Sequence, residues 1–210
     1  MVNAFLIRHL AILLLAVGLF AACTPTEVIS TRDPDYSGTV ESLHIQSSVS
    51  DRLDKLTVST ADEVRLSMVS RSVRVTEDHN VLEEEEEGPS LQEDDGVEVD
   101  FEKARSNEVS HVMLITEKGR KEDVRGTVAG AGNVGMYNST TSQTWTFDVS
   151  LYDVEQETRV WRATVKQEGS GMTTQSAEGV KMAKELVTRL EEDELLPPLT
   201  QGPDQTTGAE

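Results

Sequence analysis

The chain has 210 residues, of which 38 are Asp or Glu and 19 are Lys or Arg, giving a formal net charge of −19. That balance argues against nucleic-acid binding, which relies on Lys and Arg neutralising phosphates, and against docking on anionic lipid headgroups. The single cysteine, Cys23, cannot close an internal disulfide.

Residues 1–22, MVNAFLIRHLAILLLAVGLFAA, read as an export signal. Arg8 precedes an apolar run from Leu10 to Ala22 that is too short to span a bilayer comfortably. The signal ends in Leu19-Phe20-Ala21-Ala22-Cys23. This stretch resembles the lipobox of bacterial lipoproteins. The resemblance implies cleavage before Cys23, diacylation of its thiol and acylation of the new amino end. Three acyl chains, at about 0.8 kcal/mol per buried methylene, would hold the protein on a membrane in spite of its charge. Thr24 rather than Asp follows the cysteine. In enterobacterial-type sorting that favours the outer membrane, facing the periplasm. An ordinary signal peptide, or a buried core cysteine, is the plainer alternative.

Residues 23–38 read as the lipidated cysteine and a flexible tether, because TPTEVISTRDPDYSG is polar and turn-rich. One domain is expected over 39–196. Leu43 and Ile45 alternate with His44 and Gln46 and predict a first strand within Val40–Val49. Ser50 offers a cap for a helix over 51–70, where Leu53, Leu56, Ala61, Val64 and Met68 fall near helical spacing. Thr57, Val58, Thr60 and Val64 oppose it through their stiff β-branched side chains. Val73 and Val75 predict a second short strand. Between Glu77 and Glu102 there are 13 acidic residues and no Lys or Arg. Such a block repels itself, so about 82–96 reads as an acidic loop, with a short helix near 97–108.

His111–Thr116 is an apolar run suited to a strand buried on both faces. The charged stretch Lys118–Arg125 and the glycine-rich stretch after it read as a loop over 119–142. Trp145, Phe147, Val149 and Leu151 alternate with polar residues, and Trp161, Ala163 and Val165 follow a polar turn, which predicts a β-hairpin. Ala177, Val180, Ala183, Val187 and Leu190, widened by Met182 and Leu186, predict a final helix capped by Thr174 or Ser176. Pro197-Pro198 should end it, and 197–210 read as a disordered tail. The expected fold class is therefore α/β, a single mixed β-sheet packed by helices in the order β-α-β-α-β-β-β-α. Its core should contain Trp145, Phe147, Val149, Leu151, Trp161, Val112, Leu114, Val180 and Val187.

Few motifs carry chemistry. Gly130, Gly132 and Gly135 match GxGxxG, but a dinucleotide site needs a helix directly after the glycines, and Met136–Ser142 has loop composition. No nucleotide or other cofactor is expected. Glu83–Glu87 lacks the alternating ligands and turn glycine of a calcium loop, so no metal site is expected there. His44, His79 and His111 show no zinc spacing, and His44 and His111 read as sheet-face residues. Asp148 and Asp153 flank the hairpin without a visible cleft, which is weak support for acid–base work. No nucleophile elbow occurs, and no catalytic residues are assigned. Trp145, Phe147 and Trp161 could form a ligand cage, but packing in the core is the simpler reading.

The segments VSLYDVEQETRVWRATVKQEG and AEGVKMAKELVTRLEEDELLPP, with DPDYSGTVESLHI and SHVMLI upstream, together resemble a group of small bacterial envelope lipoproteins. That group resembles in fold the TolB amino-terminal domain, the curli-secretion lipoprotein and the penicillin-binding-protein activator lipoproteins. The resemblance implies a non-enzymatic accessory protein, anchored through Cys23, that binds an envelope protein partner. It brings no catalytic residues and does not specify an oligomeric state. The alternative is a ligand- or cation-binding module that uses the acidic and glycine-rich loops. An envelope hydrolase is the least supported class.

Overall fold

Every expected strand is present in one mixed sheet, and a further strand lies at its edge. The computed structural model describes residues 26–82, 97–129, 136–170 and 174–199 of the chain. Its strands are β1 (Thr26–Arg32), β2 (Ser42–Ser50), β3 (Arg74–Leu82), β4 (His111–Ala129), β5 (Met136–Asp153) and β6 (Thr158–Ser170). The helices are α1 (Asp54–Val69), α2 (Phe101–Ser106) and α3 (Gln175–Glu192). The sheet order is β1-β6-β5-β4-β2-β3, with β2 parallel to β3 and β4 and all other pairs antiparallel.

The connections explain the layers. The chain moves from β2 outward to β3, then back across β2 to β4. Right-handed crossovers in opposite directions place their helices on opposite faces. The side chains agree. Leu43, Ile45, Met113, Ile115, Phe147, Val149, Leu151 and Trp161 join α1 and α3 in the main core. Val112 and Leu114 point the other way, against Val99, Ala104 and Val109 around α2. The strand at 111–116 is thus buried on both faces, as its unbroken apolar run predicts.

α1 begins through a 3-10 turn, Asp51–Leu53. Ser50 forms no side-chain cap; its hydroxyl instead donates to Glu117 Oε2 at 2.7 Å, across to β4. Thr57 and Thr60 fit the helix because their hydroxyls donate back to the carbonyls of Leu53 (3.0 Å) and Leu56 (2.8 Å). α1 and α3 lie parallel and very close. The Gly179 carbonyl accepts from Thr60 Oγ1 at 3.2 Å, and a Cβ on Gly179 would overlap the Leu56 carbonyl oxygen. This contact rotates α3 relative to the expected stripe. Gly179, Met182, Ala183, Leu186, Val187 and Leu190 face the core, whereas Val180 is only half-buried and Ala177 is exposed. Val180 is therefore not a core residue. Thr174 caps the helix, accepting from the Ala177 N–H.

Two expectations about loops are overturned. Thr26–Arg32 is not a tether but an edge strand in full register with β6, from Thr26↔Gln167 to Arg32↔Trp161. An edge strand buries little, and here Val28 alone is fully covered, so polar composition hid it. The segment after it is also fixed, since the Asp33 N–H donates to the Val160 carbonyl at 2.9 Å. The 119–142 loop is likewise largely sheet: β4 runs unbroken from His111 to Ala129 and pairs with β5 as far as Ala129↔Met136. A register shift between Glu117 and Gly119 admits the charged stretch. The acidic stretch 83–96, the glycine run 130–135 and the tail 200–210 lie outside the described residues.

Candidate functional site

The polar groups that sequence reading singled out fall at separate places in the fold. Asp148 lies on the α2 face of β5. It accepts from Arg162 Nε (2.9 Å) and Nη2 (2.8 Å), with Lys118 Nζ at 3.6 Å. This bidentate pair spans neighbouring strands and saturates the carboxylate. Asp153 lies at the far end of the same strand, where its Oδ1 accepts from the Gln156 N–H at 2.9 Å and shapes the β5–β6 turn. The two carboxylates are not brought together. Trp145, Phe147 and Trp161 all belong to the main core, and the Trp145 ring packs on Gly169, where it would exclude an added Cβ.

The turn end of the sheet holds a denser network. The Tyr36 hydroxyl is 2.6 Å from His111 Nε2 and 3.4 Å from Asp153 Oδ2, and Ser110 Oγ is 2.8 Å from His111 Nδ1. Ser110 Oγ donates to the Ser42 carbonyl at 2.9 Å. With His111 donating from Nδ1 to Ser110 and Tyr36 giving its one proton to Nε2, the three shorter bonds are satisfied and the 3.4 Å approach of Tyr36 to Asp153 goes without a proton. Burial pushes the His111 pKa below its ordinary value, against the opposing charges of Asp153 and Glu41. Burial first, then the Asp153 charge, pushes Tyr36 up to about 12. A neutral imidazole that donates to serine is the reverse of a base that withdraws its proton. The network therefore acts as a clasp that fastens residues 33–38 over the end of β4.

A cavity of about 360 Å³ lies beside this clasp, lined by Asp33, Asp35, Tyr36, Asp153 and Gln156 among others. Two of its carboxylates are engaged locally, because Asp33 Oδ1 accepts from the Asp35 N–H at 2.9 Å and Asp153 caps its turn. Among the described residues no group of three or more His, Cys, Asp or Glu side chains could hold a metal ion.

On the opposite face, His44 Nδ1 is 2.8 Å from Thr76 Oγ1, while its buried Nε2 has no partner. Burial lowers its pKa as well. Sequence reading missed two carboxylates with structural roles, buried Glu178 and half-buried Asp193. Glu178 accepts from Gln167, which in turn accepts from Thr26 Oγ1 at 2.6 Å. Asp193 accepts from Ser30 Oγ (2.8 Å) and Trp161 Nε1 (2.6 Å), tying the end of α3 to β1 and β6. Both stand among the many charges in and just after α3, and only their long-range hydrogen bonds distinguish them.

The other end of the sheet carries the two features that no polar cluster explains. Thr26, Gln167, Trp145 and Arg120 form one row across β1, β6, β5 and β4. Beyond Ser142↔Ser170, among the described residues, only β4 and β5 continue, as a two-stranded arm. Cys23 itself lies outside the described residues, three positions before the start of β1. The glycine run follows the outgoing strand of the arm, and the chain re-enters as β5 at Met136 rather than as a helix.

These features define a single-domain α/β protein with a six-stranded mixed sheet, helices on both faces and a projecting β-ribbon. No protein-family model matches the chain, and no curated protein matches it. Similar solved structures include the PelC dodecamer from Paraburkholderia phytofirmans, at 17% identity over 77% of this chain and 95% of that one, with a TM-score of 0.44. A minor lipoprotein from Acinetobacter baumannii is 11% identical over 75% and 96%, with a TM-score of 0.34. Lipoprotein GNA1162 from Neisseria meningitidis is 9% identical over 72% and 98%, with a TM-score of 0.36. Similarity at this level concerns the fold alone. Among the described residues no helix is long and apolar enough to cross a membrane.

Proposed function

We propose that the chain is a non-catalytic lipoprotein of the bacterial cell envelope, anchored through acylated Cys23, whose domain binds an envelope protein partner. The observation that carries this reading is the lipobox-like Leu19–Cys23, set three residues ahead of a folded edge strand. The non-catalytic part is supported by the way Asp148, Asp153, His111 and Ser110 are spent on bonds that hold the fold. Thr24 after the cysteine favours the outer membrane, facing the periplasm.

Labelling with radioactive palmitate in a bacterial host tests the anchor. The wild-type chain should incorporate label and remain with membranes, and Cys23→Ser should do neither. Label retained by Cys23→Ser would overturn the assignment. Crosslinking in cells tests the partner; repeated recovery of the chain with no specific protein would count against it.

A further inference from the structure

We propose that the β4–β5 arm lies on the bilayer surface beside the lipid anchor, in the headgroup layer of uncharged or zwitterionic lipid. The inference rests on the anchor reading above and adds an orientation and a second membrane contact.

Reach carries the first part of the argument. Two residues, Thr24 and Pro25, separate Cys23 from Thr26, three steps of chain that span about 10 Å at most. The arm starts in the same row as Thr26 and points the same way along the sheet. Ala129 lies nine residues beyond Arg120, which at ~3.3 Å per residue places it about 30 Å past that row. An acylated Cys23 sits at the membrane surface, so the arm outreaches the anchor by about 20 Å. With so short a link, the arm must meet the bilayer or lie along it.

Charge carries the second part. Residues 126–147 contain no Asp, Glu, Lys or Arg, the longest such stretch in a chain that is 27% charged. Below the arm the charges pair along β4, Arg120 with Glu122 at 2.8 Å and Lys121 with Asp123 at 3.4 Å, and Arg125 is the one charged residue within 124–141. A protein of net charge −19 is repelled by anionic lipid, and an arm with no acidic residue is the part that can approach a membrane without that cost.

Depth follows from backbone chemistry. Among the described residues, from Val124↔Thr141 to Ala129↔Met136, β4 and β5 pair only with each other, which leaves one edge of each strand open. Unpaired N–H and C=O groups cannot be left in hydrocarbon. The ribbon therefore belongs among the headgroups, where water and lipid oxygens satisfy those edges.

The test uses the full acylated chain in phosphatidylcholine vesicles. Because Cys23 is acylated, a new cysteine is the only reactive thiol. Thr127→Cys, Ser139→Cys and, at the opposite end, Glu155→Cys would each carry an environment-sensitive fluorophore. Both arm labels should shift to the blue and be quenched by lipids with a doxyl group near the headgroup, more than by lipids with one deep in the acyl chain. The Glu155 label should do neither. Arm labels that behave like the Glu155 label on a chain that stays with the vesicles would overturn the arm's placement and leave the anchor intact. Stronger quenching by the deep group would overturn the headgroup location. Arm labels that crosslink to a second copy without being quenched would assign the arm to self-association instead. A chain that takes up no palmitate and leaves the vesicles would remove the anchor reading and this inference with it.

Discussion

His44 and His111 are nearly inaccessible, on opposite faces of the sheet, and both are held neutral by burial. Asp78 and Asp100 partly offset this for His44, as Asp153 and Glu41 do for His111, and Lys103 reinforces it at His44. The unfolded chain takes up these protons around the ordinary value of 6.5, whereas the folded chain resists them until lower pH. Stability is therefore full above pH 6.5 and falls as pH drops from there through the folded values. Urea midpoints measured between about pH 8 and pH 5 should decline on the acid side, and the double variant His44→Gln/His111→Gln should decline less steeply. Parallel declines would place the acid sensitivity elsewhere. At this scale the sequence located both histidines on strands. It could not show that one closes a clasp with Tyr36, because those partners are 75 residues apart.

At the scale of elements, the parallel contact of α1 with α3 sets how both helices sit on the sheet. Gly179 permits it, since its position faces the Leu56 carbonyl and lies 2.9 Å from Ser59 Cβ when a Cβ is added. Gly179→Ala should cost about 1–3 kcal/mol through forced separation of the helices, read by urea denaturation. Gly119→Ala, where an added Cβ meets nothing within 4 Å, should stay within about 0.5 kcal/mol. Equal effects would mean that the close approach is not limiting. Helical spacing in the sequence marked the existence of α3, its widened stripe through Met182 and Leu186, and Thr174 or Ser176 as its cap. The turn of its first residues, which buries Glu178 and Gly179 in place of Ala177 and Val180, was not visible, because it depends on where the partner helix lies. β1 was missed for a related reason: Thr26–Arg32 acquires strand character from pairing with β6, not from an apolar face of its own.

For the whole molecule, the core and the arm are separable. Every described member of the two apolar clusters lies in the body of the sheet or on the helices packed against it. Replacing residues 124–141 by Asn-Gly, a two-residue turn joining Asp123 to Ser142, should preserve the fold and change stability by less than ~1 kcal/mol. Loss of cooperative unfolding in that variant would show that the arm is part of the folding unit. The glycine motif of Gly130, Gly132 and Gly135 takes its meaning from this division. Its GxGxxG spacing suggested a phosphate cradle, but its neighbours on both sides are the paired strands of a ribbon. The sequence by itself determined the α/β class, the buried central strand, the aromatic hairpin and the final helix, because each is written in local hydrophobic periodicity. Tertiary structure alone decided the edge strand, the clasp, the contact at Gly179 and the arm. Those features depend on long-range pairing and close approach, which join residues that no local pattern connects.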